Sequence, residues 1–240
     1  MNPAAVDSRS IRAQTGPLVV GDPASDAAGD WMTRLLQMRA FQLVPPVKLQ
    51  AMFMRLRKLA AEPSQVIVRQ GDAGDYFYVI VDGKCIVTRE RAGARPVRLA
   101  ELEPGACFGE EALISEERRN ATITALTRAS LMRLAKSDFR TLLNEPLERR
   151  ISLAHAQELV DTGHARWLDV RLPGEFRNHH LPGALNLPLH MLRPRLATLD
   201  PRLTWIVCCD TLRRSAVGAY VLTQKGYDAY ALEQSLVPRG

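Results

Sequence analysis

The stretch FGEEALISEERRNATI, from Phe108 to Ile123, places a Gly-Glu pair before a short apolar run and an arginine after it. Gly109 has no side chain, so the backbone amides beside it can approach a ligand closely. The EEALI segment predicts a short helical turn, whose free N-terminal amides favour an anion. Arg119 offers a planar fork that suits phosphate oxygens, and an ionised Glu110 accepts hydrogen bonds from hydroxyls. The pattern predicts a pocket that binds a phosphate and a sugar together, as in a nucleotide monophosphate.

A simpler interpretation of the same two side chains stays open at this point. Glu110 and Arg119 could be ordinary surface charges, forming at most a weak exposed pair worth under about 1 kcal/mol. The sequence on either side of them has to decide between the two interpretations.

Short segments with a period of two surround this stretch. They are QVIVRQ, YFYVIV, KCIVTRE, PVRLAEL and ATITALTRASLMRLA. Such segments predict strands, and Asp82-Gly83 between two of them predicts a hairpin. Several short strands at turn-bounded intervals favour an antiparallel β-roll or jelly-roll barrel. Helical patterns flank them: DWMTRLLQMRAF and PPVKLQAMFMRLRKLA before, and KSDFRTLL after, with a Ser or Asp cap.

The stretch, with QGDAGDYFYVIVDGKCIVTRE before it, closely resembles the phosphate-binding cassette of cyclic nucleotide-binding domains. The likeness covers about residues 31–145, and the matching positions are Phe108, Gly109, Glu110, Ala112, Leu113, Arg119, Ala121 and Thr122. The resemblance implies that Arg119 binds the cyclic phosphate of cAMP or cGMP and that Glu110 binds the ribose 2′-hydroxyl. The other residues that it places at the site are Gly109, Glu111, Ala112, Asn120 and Ala121.

Two positions depart from the family pattern. Glu111 is often apolar in the family, and here it adds a negative charge near a phosphate. Asn120 stands where cAMP binders tend to have Ala or Ser and cGMP binders tend to have Thr, so the base stays open. The family also covers the base with a C-terminal helix, for which LLNEPLERR leaves little chain. We expect the second domain, a neighbouring subunit or the N-terminal arm to cover the base.

After Pro146 the pattern changes to alternating helices and strands. SLAHAQELVDTG, MLRPRLATL and RRSAVGAYVLTQKG predict helices, and RWLDV, TWIVCC and YDAYAL predict strands. This alternation favours a mainly parallel sheet. We therefore predict an α+β multidomain protein in which an antiparallel β-roll or jelly roll with flanking helices precedes an α/β domain. The predicted parts are a disordered or loose arm (1–30), the first domain (31–146), the second (150–233) and an expression scar ending in LVPRG (234–240).

A second candidate site lies in IVCCDTLRRSAV, where Cys209 ends a strand and a helix follows. A helix N-terminus and two nearby arginines favour the thiolate, which is the nucleophilic form, and the same loop would bind an oxyanion. The alternative is that both adjacent cysteines are core residues, since cysteine is often buried. We apply that alternative to Cys208 and expect Cys209 to be reactive.

Residues 150–233 resemble a rhodanese, or sulfurtransferase, domain. Its marks are LDVR at Leu168–Arg171, EF at Glu175-Phe176, HLPGA at His180–Ala184 and a six-residue loop opened by cysteine. The resemblance implies that Cys209 carries a persulfide, with thiosulfate or another sulfane-sulfur donor and a thiol or cyanide acceptor. The loop residues are Asp210, Thr211, Leu212, Arg213 and Arg214.

The loop itself bears on the choice between reactions. Related folds with one more loop residue tend to process phosphate esters, so six residues favour sulfur transfer over a cysteine phosphatase. The family often has Arg where Asp210 stands and Gly where Leu212 stands. If that position needs a positive φ, Leu212 is strained by about 1 kcal/mol or more. Non-enzymatic sensing, with the second domain as a docking module, is the alternative.

Composition limits the remaining function classes. The net charge of +6 suits an anionic ligand, but we find no helix-turn-helix pattern or zinc spacing, so we expect no nucleic-acid partner. No apolar run reaches the roughly 18 residues of a membrane helix. The four cysteines follow no secretory signal and two are adjacent, which favours a reducing, cytoplasmic location. We expect no metal, and self-association is left open.

Overall fold

The computed structural model describes residues 19–21, 28–90, 93, 95–145 and 149–236. The first part of the chain begins with strand β1 (Val19–Gly21) and three helices: α1 (Ala28–Gln37), α2 (Arg39–Gln42) and α3 (Pro46–Arg55). Strands β2 (Arg57–Ala61), β3 (Val66–Val68), β4 (Tyr76–Asp82), β5 (Cys85–Arg89), β6 (Val97–Leu102) and β7 (Cys107–Phe108) follow. Then come α4 (Glu110–Ser115), β8 (Thr122–Ala125), β9 (Ala129–Ala135) and α5 (Lys136–Phe139), which continues as a π-helical turn, Arg140–Asn144.

These strands form two antiparallel sheets, as the period-two pattern predicts. One sheet has the order β1-β2-β9-β4-β7 and the other β3-β8-β5-β6. Apolar residues of both sheets, among them Ile80, Phe108 and Ile123, form one core between them. A second core lies where the helices pack on β4 and β9, around Phe77 and Leu134. The predicted β-roll with flanking helices is confirmed.

Three local predictions are wrong. Arg57–Ala61 is strand β2 rather than the end of a helix, because pairing with both β1 and β9 overrides a helical spacing of apolar residues. Asp82-Gly83 does not close a hairpin, since β4 and β5 belong to different sheets. Helix α5 begins at Lys136, directly after β9. Its N-cap position is therefore Ala135, and the predicted caps, Ser137 and Asp138, lie inside the helix.

The second part is an α/β unit. Its strands are β10 (Arg150–Ile151), β11 (Ala165–Asp169), β12 (Leu185–Asn186), β13 (Thr204–Cys208) and β14 (Ala229–Leu232). Its helices are α6 (Leu153–Asp161), α7 (Pro173–Asn178), α8 (Leu189–Arg195, followed by a 3-10 turn at Leu196–Thr198) and α9 (Arg213–Gln224). The sheet order is β10-β14-β13-β11-β12, and all four pairings are parallel. The predicted parallel sheet is confirmed.

Helix α9 joins the two parts, because it packs against α4 of the first part as well as against β13 and β14. Tyr220, in the middle of α9, is buried in the core of the first part and meets Phe139 edge-on at 6.1 Å between ring centroids. Ile114 of α4 packs against the cores of both parts. The two candidate sites are therefore connected by packed side chains.

The chain ends fall partly outside the described residues. Most of the predicted arm at 1–30 is not described, although β1 pairs with β2 and α1 begins at Ala28. Leu236, in the segment predicted as a scar, is buried against the second part, and 237–240 are not described. Throughout the described ranges, no helix is both long and apolar enough to cross a membrane. All four cysteines are free, and no cluster of three metal-ligating side chains occurs among the residues described.

Candidate functional site

Gly109 connects β7 to α4 in a conformation that only glycine adopts easily. Its φ is +93°, and it caps the N-terminus of α4. A Cβ atom there would lie 2.8 Å from Nη1 of Arg119 and 2.8 Å from the carbonyl oxygen of Tyr76. The missing side chain therefore lets a guanidinium pack directly against the backbone at the start of α4.

Arg119 is almost fully buried, with 5% of its surface exposed, so it is not an ordinary surface charge. Its Nη1 donates to the Gly109 carbonyl at 2.7 Å, and its Nη2 donates to the Tyr76 carbonyl at 2.7 Å and to Asp75 Oδ1 at 3.0 Å. Asp75 supplies the opposite charge. These bonds hold the guanidinium rigidly beside the N-terminus of α4, where both its charge and the helix amides favour an anion.

Glu110 is also buried, but its carboxylate turns toward the second part of the chain. Oε1 accepts a hydrogen bond from Nη2 of Arg193 in α8, and no ion pair joins Glu110 to Arg119 within the described part of the chain. Oε2 is buried and has no hydrogen-bond partner among the residues that the structure describes. Burial raises the pKa of Glu110, and the Arg193 charge opposes that rise.

The remaining cassette residues form a connected group. Glu111 Oε1 accepts from Nε of Arg193 at 3.1 Å, and Glu111 Oε2 accepts from Nδ2 of Asn120 at 2.5 Å. Ala112 and Ala121 are both buried. Asn120 is exposed, and its side-chain amide is bonded to Glu111.

In the second candidate site, Cys209 follows β13 and precedes α9. The backbone N–H of Ser215, in the first turn of α9, donates to Cys209 Sγ at 3.1 Å. Only 1% of Cys209 is exposed, and its carbonyl accepts from the N–H of Leu236. The sulfur thus lies at the N-terminus of a twelve-residue helix, which favours negative charge on it.

The arginines of the cysteine loop, Cys209–Arg214, both lie beside carboxylates. Arg214 donates to the two oxygens of Glu175 at 2.7 and 3.0 Å and also to Asp210. The bonds from Arg214 lower the pKa of Glu175 to about 2. Arg213 is turned outward, and Thr211 is an exposed residue whose carbonyl accepts from the Arg213 N–H. Asp210 thus offsets positive charge that would otherwise face an anionic substrate.

Leu212 has a left-handed backbone, with φ 59° and ψ −27°. The position therefore does require the positive φ for which the resemblance made glycine the expected residue. A β-carbon in this region costs about 1–2 kcal/mol, so the loop is strained at Leu212. That strain lies three residues from the sulfur of Cys209.

Sequence reasoning missed the partners of the predicted residues. Asp75 carried a signal, since it lies in the GDAGD segment of the cassette likeness, and Glu175 lies in the EF mark of the rhodanese likeness. Arg193 carried none, because its role comes from a contact between residues 83 positions apart. Glu116, which lies near Arg213, was likewise not predicted.

Comparisons with known families support both resemblances. Residues 58–145 match the cyclic nucleotide-binding domain. Residues 152–237 match the rhodanese-like domain. The two matches follow each other along the chain in the predicted order, and both resemblances are confirmed.

Individual relatives match the first domain. A cAMP-dependent protein kinase regulatory subunit of Mucor circinelloides f. lusitanicus is 39% identical over 93 residues, covering 39% of this chain and 22% of that protein. A cyclic nucleotide-gated potassium channel of Mesorhizobium japonicum is 40% identical over 108 residues, covering 45% of this chain and 28% of the channel. The solved regulatory domain of Toxoplasma gondii PKA with cAMP aligns with a TM-score of 0.45 at 25% identity, covering 55% of this chain and 48% of that one. The chain therefore spans about a quarter of the length of the first two relatives.

Proposed function

Because the chain carries a cyclic nucleotide-binding domain followed by a rhodanese-like domain, we propose that it binds a cyclic nucleotide and transfers sulfane sulfur through Cys209. In this proposal the nucleotide binds at the cassette, Phe108–Ile123, and changes the reactivity or accessibility of Cys209. The ligand, the sulfur chemistry and the coupling are three separate claims, each with its own support.

The buried guanidinium of Arg119 is the observation that carries the nucleotide claim. Arg119 is buried beside a helix N-terminus, where its guanidinium donates to the carbonyl of Gly109. This arrangement suits a phosphate. Glu110 adds a buried carboxylate oxygen to which no described residue donates, and such an oxygen suits a sugar hydroxyl. Relatives such as the Mucor protein are named for cAMP, so cAMP is the first ligand to test and cGMP the comparison.

Calorimetric titration of the full chain with cAMP and cGMP tests this claim. We expect binding of at least one nucleotide, and a loss of about a hundredfold or more in Arg119→Gln, because a charged partner of the phosphate is removed. Arg128→Gln is the matched control, since Arg128 pairs with Glu62 on the surface with 81% of its side chain exposed. Absence of binding of either nucleotide to the unchanged chain would contradict the claim.

The contact between the Ser215 N–H and Cys209 Sγ supports the sulfur claim. The Cys209 thiolate attacks the outer sulfur of thiosulfate, the S–S bond of thiosulfate breaks, and sulfite leaves with the electron pair. Cys209 then carries a persulfide. A thiolate or cyanide attacks the outer sulfur of that persulfide, and the Cys209 thiolate leaves and is restored. Helix α9 favours negative charge on the sulfur in both steps.

Mass spectrometry after thiosulfate treatment tests the sulfur claim. We expect Cys209 to gain one sulfur atom, Cys209→Ser to gain none, and Cys208→Ser to react as the unchanged chain does. Cys208 is the matched control because it is buried on β13 next to Cys209, and its thiol donates to the Leu168 carbonyl at 3.6 Å.

A non-enzymatic sensor, with the rhodanese-like domain as a docking module, is the second candidate. The observation that favours it is the state of the cysteine loop: Cys209 is 1% exposed, and Arg214 is bonded to both Glu175 and Asp210. Nucleotide binding without any sulfur adduct on Cys209, from thiosulfate or from a small persulfide donor, would favour the sensor.

A further inference from the structure

Arg193 of the rhodanese-like domain reaches into the cassette of the other domain. Its Nη2 donates to Glu110 Oε1, its Nε donates to Glu111 Oε1 at 3.1 Å, and its Nη1 donates to Gln224 Oε1 at 3.2 Å. The guanidinium is therefore fixed by one residue of its own domain and by two consecutive carboxylates of the other. Arg193 thus occupies one fixed position between α4 and α9.

Within the described ranges of the chain, two buried polar atoms near Arg193 lack hydrogen-bond partners. They are Oε2 of Glu110 and the hydroxyl oxygen of Tyr220 in α9. Both Glu110 and Arg193 influence the pKa of Tyr220, which burial raises, so the three side chains share one region. Buried polar atoms in native proteins are almost always bonded, and unpaired ones call for a ligand or water. A hydroxyl group that donates to Oε2 would satisfy the first of them.

Without a partner of opposite charge, the buried carboxylate of Glu110 could not remain ionised. Its side chain is 3% exposed, and an isolated carboxylate removed from water takes up a proton instead. Arg193 provides the opposite charge that offsets this loss of solvation, and it also fixes which oxygen is occupied and which is free. A protonated Glu110 would lose one of its acceptor positions, and that would weaken its bond to a donated hydroxyl.

The same contact explains the two positions that depart from the family pattern. Glu111 places a second carboxylate beside a phosphate site, yet here it is bonded to Arg193 and to Asn120. Together with Asp75, the two glutamates carry three negative charges against the two positive charges of Arg119 and Arg193. Arg193 therefore offsets the negative charge that the carboxylate at position 111 adds.

We infer that Arg193 is a positioning residue of the nucleotide site: it orients Glu110 so that Oε2 accepts the 2′-hydroxyl of the ribose. The rhodanese-like domain thereby supplies part of the nucleotide site. This inference rests on the proposed nucleotide binding and extends it, because it makes affinity for the ribose depend on the second domain.

The test is a titration of the full chain with cAMP and with its 2′-deoxy analogue, using the unchanged chain and Arg193→Met. We expect Arg193→Met to weaken cAMP binding by about tenfold to a hundredfold, as for other buried charged hydrogen bonds. The 2′-deoxy analogue should be affected much less, because the hydroxyl that depends on Glu110 is missing. Arg195→Met is the matched control, since Arg195 ends the same helix and is exposed.

The outcomes separate this inference from the proposed function. If the unchanged chain binds neither cAMP nor cGMP, nucleotide binding itself is wrong. If it binds cAMP, but Arg193→Met binds equally or more tightly, or loses cAMP and the 2′-deoxy analogue by the same factor, only the inference is wrong. Arg193→Gln is two bonds shorter and uncharged but keeps a polar amide, so it allows the same comparison if Arg193→Met does not fold.

Discussion

The carboxylate of Glu116 lies 3.6 Å from the guanidinium of Arg213, so the end of the cassette helix α4 contacts the cysteine loop. Glu116 follows Ser115 with a left-handed φ of 58°, and Arg213 follows the strained Leu212. With Arg193 at the start of α4, each end of this short helix contacts the rhodanese-like domain. A shift of α4 on nucleotide binding would therefore act directly on the residues that follow Cys209.

Glu116→Gln should reduce the effect of nucleotide on Cys209 only modestly. Both partners of the pair are about half exposed, and exposed ion pairs contribute at most about 1 kcal/mol, which is roughly fivefold in a rate. The measurement is the rate of persulfide formation on Cys209 with and without saturating cAMP. Glu117→Gln, an exposed neighbour, is the control. An unchanged nucleotide response in Glu116→Gln would mean that coupling does not pass through this pair.

Gly109→Ala should lower both stability and nucleotide affinity, because its Cβ would overlap Arg119 and the Tyr76 carbonyl. Gly163→Ala is a matched control: its φ of +75° imposes the same type of backbone strain, but no atom of the described residues lies within 4 Å of its Cβ. We expect Gly163→Ala to destabilise by about 1–2 kcal/mol and Gly109→Ala by more. Urea unfolding and cAMP titration measure the two effects. Equal losses of stability in both variants, with cAMP affinity intact, would contradict the prediction.

The sequence predicted those parts of the structure that depend on local pattern. Strands such as β4 and β9 follow from period-two segments, and the parallel sheet follows from alternating helices and strands. The error at Arg57–Ala61 has a tertiary cause, because pairing with β1 and β9 decides a segment whose own spacing suits a helix. The Asp82-Gly83 turn is similar: a local signal predicts the turn but not which sheet the next strand joins.

The residues of the candidate sites likewise divide into those that a local motif predicts and those that only the folded chain brings together. Gly109, Glu110 and Arg119 lie within one short stretch, so a single motif identifies them. The ion-pair partners come from elsewhere in the chain: Arg193 is 83 positions from Glu110, and Arg214 is 39 positions from Glu175. No periodicity connects such residues. The contact of Arg193 with Glu110 forms only once the two domains have packed against each other, and that of Arg214 with Glu175 only once the rhodanese-like domain has folded.

The ion pair between Glu175 and Arg214 should make stability depend on pH on the acid side. The folded-state pKa of Glu175 is about 2, below its ordinary value of 4.5. A lowered pKa contributes stability that is fully present above about pH 4.5 and is lost as the pH falls through about 2. Because one third of Glu175 is exposed, we expect this contribution to be only about 1 kcal/mol or less.

Urea unfolding between pH 7 and pH 2 measures that contribution. The difference in unfolding midpoint between the unchanged chain and Glu175→Gln should be largest near pH 7 and should shrink below about pH 4.5. Glu233→Gln removes an exposed carboxylate of the same domain and serves as the control. A difference that stays constant down to pH 2 would show that Glu175 acts by packing rather than by its charge.

Leu212→Gly should speed persulfide formation while changing stability little. Glycine removes the strain of φ 59°, about 1–2 kcal/mol, but it also gains freedom in the unfolded chain, which offsets about 0.4–1 kcal/mol of that relief. The loop amides between Cys209 and Ser215 can then turn more readily toward the sulfur and an anionic donor. We expect the rate with thiosulfate to rise about threefold to tenfold, within the range of that strain energy. Leu212→Ala is the matched control, because it removes the bulk of the side chain but keeps the β-carbon and the strain. If Leu212→Ala reacts as fast as Leu212→Gly, side-chain bulk limits the reaction; if neither exceeds the unchanged chain, the backbone at Leu212 does not limit it.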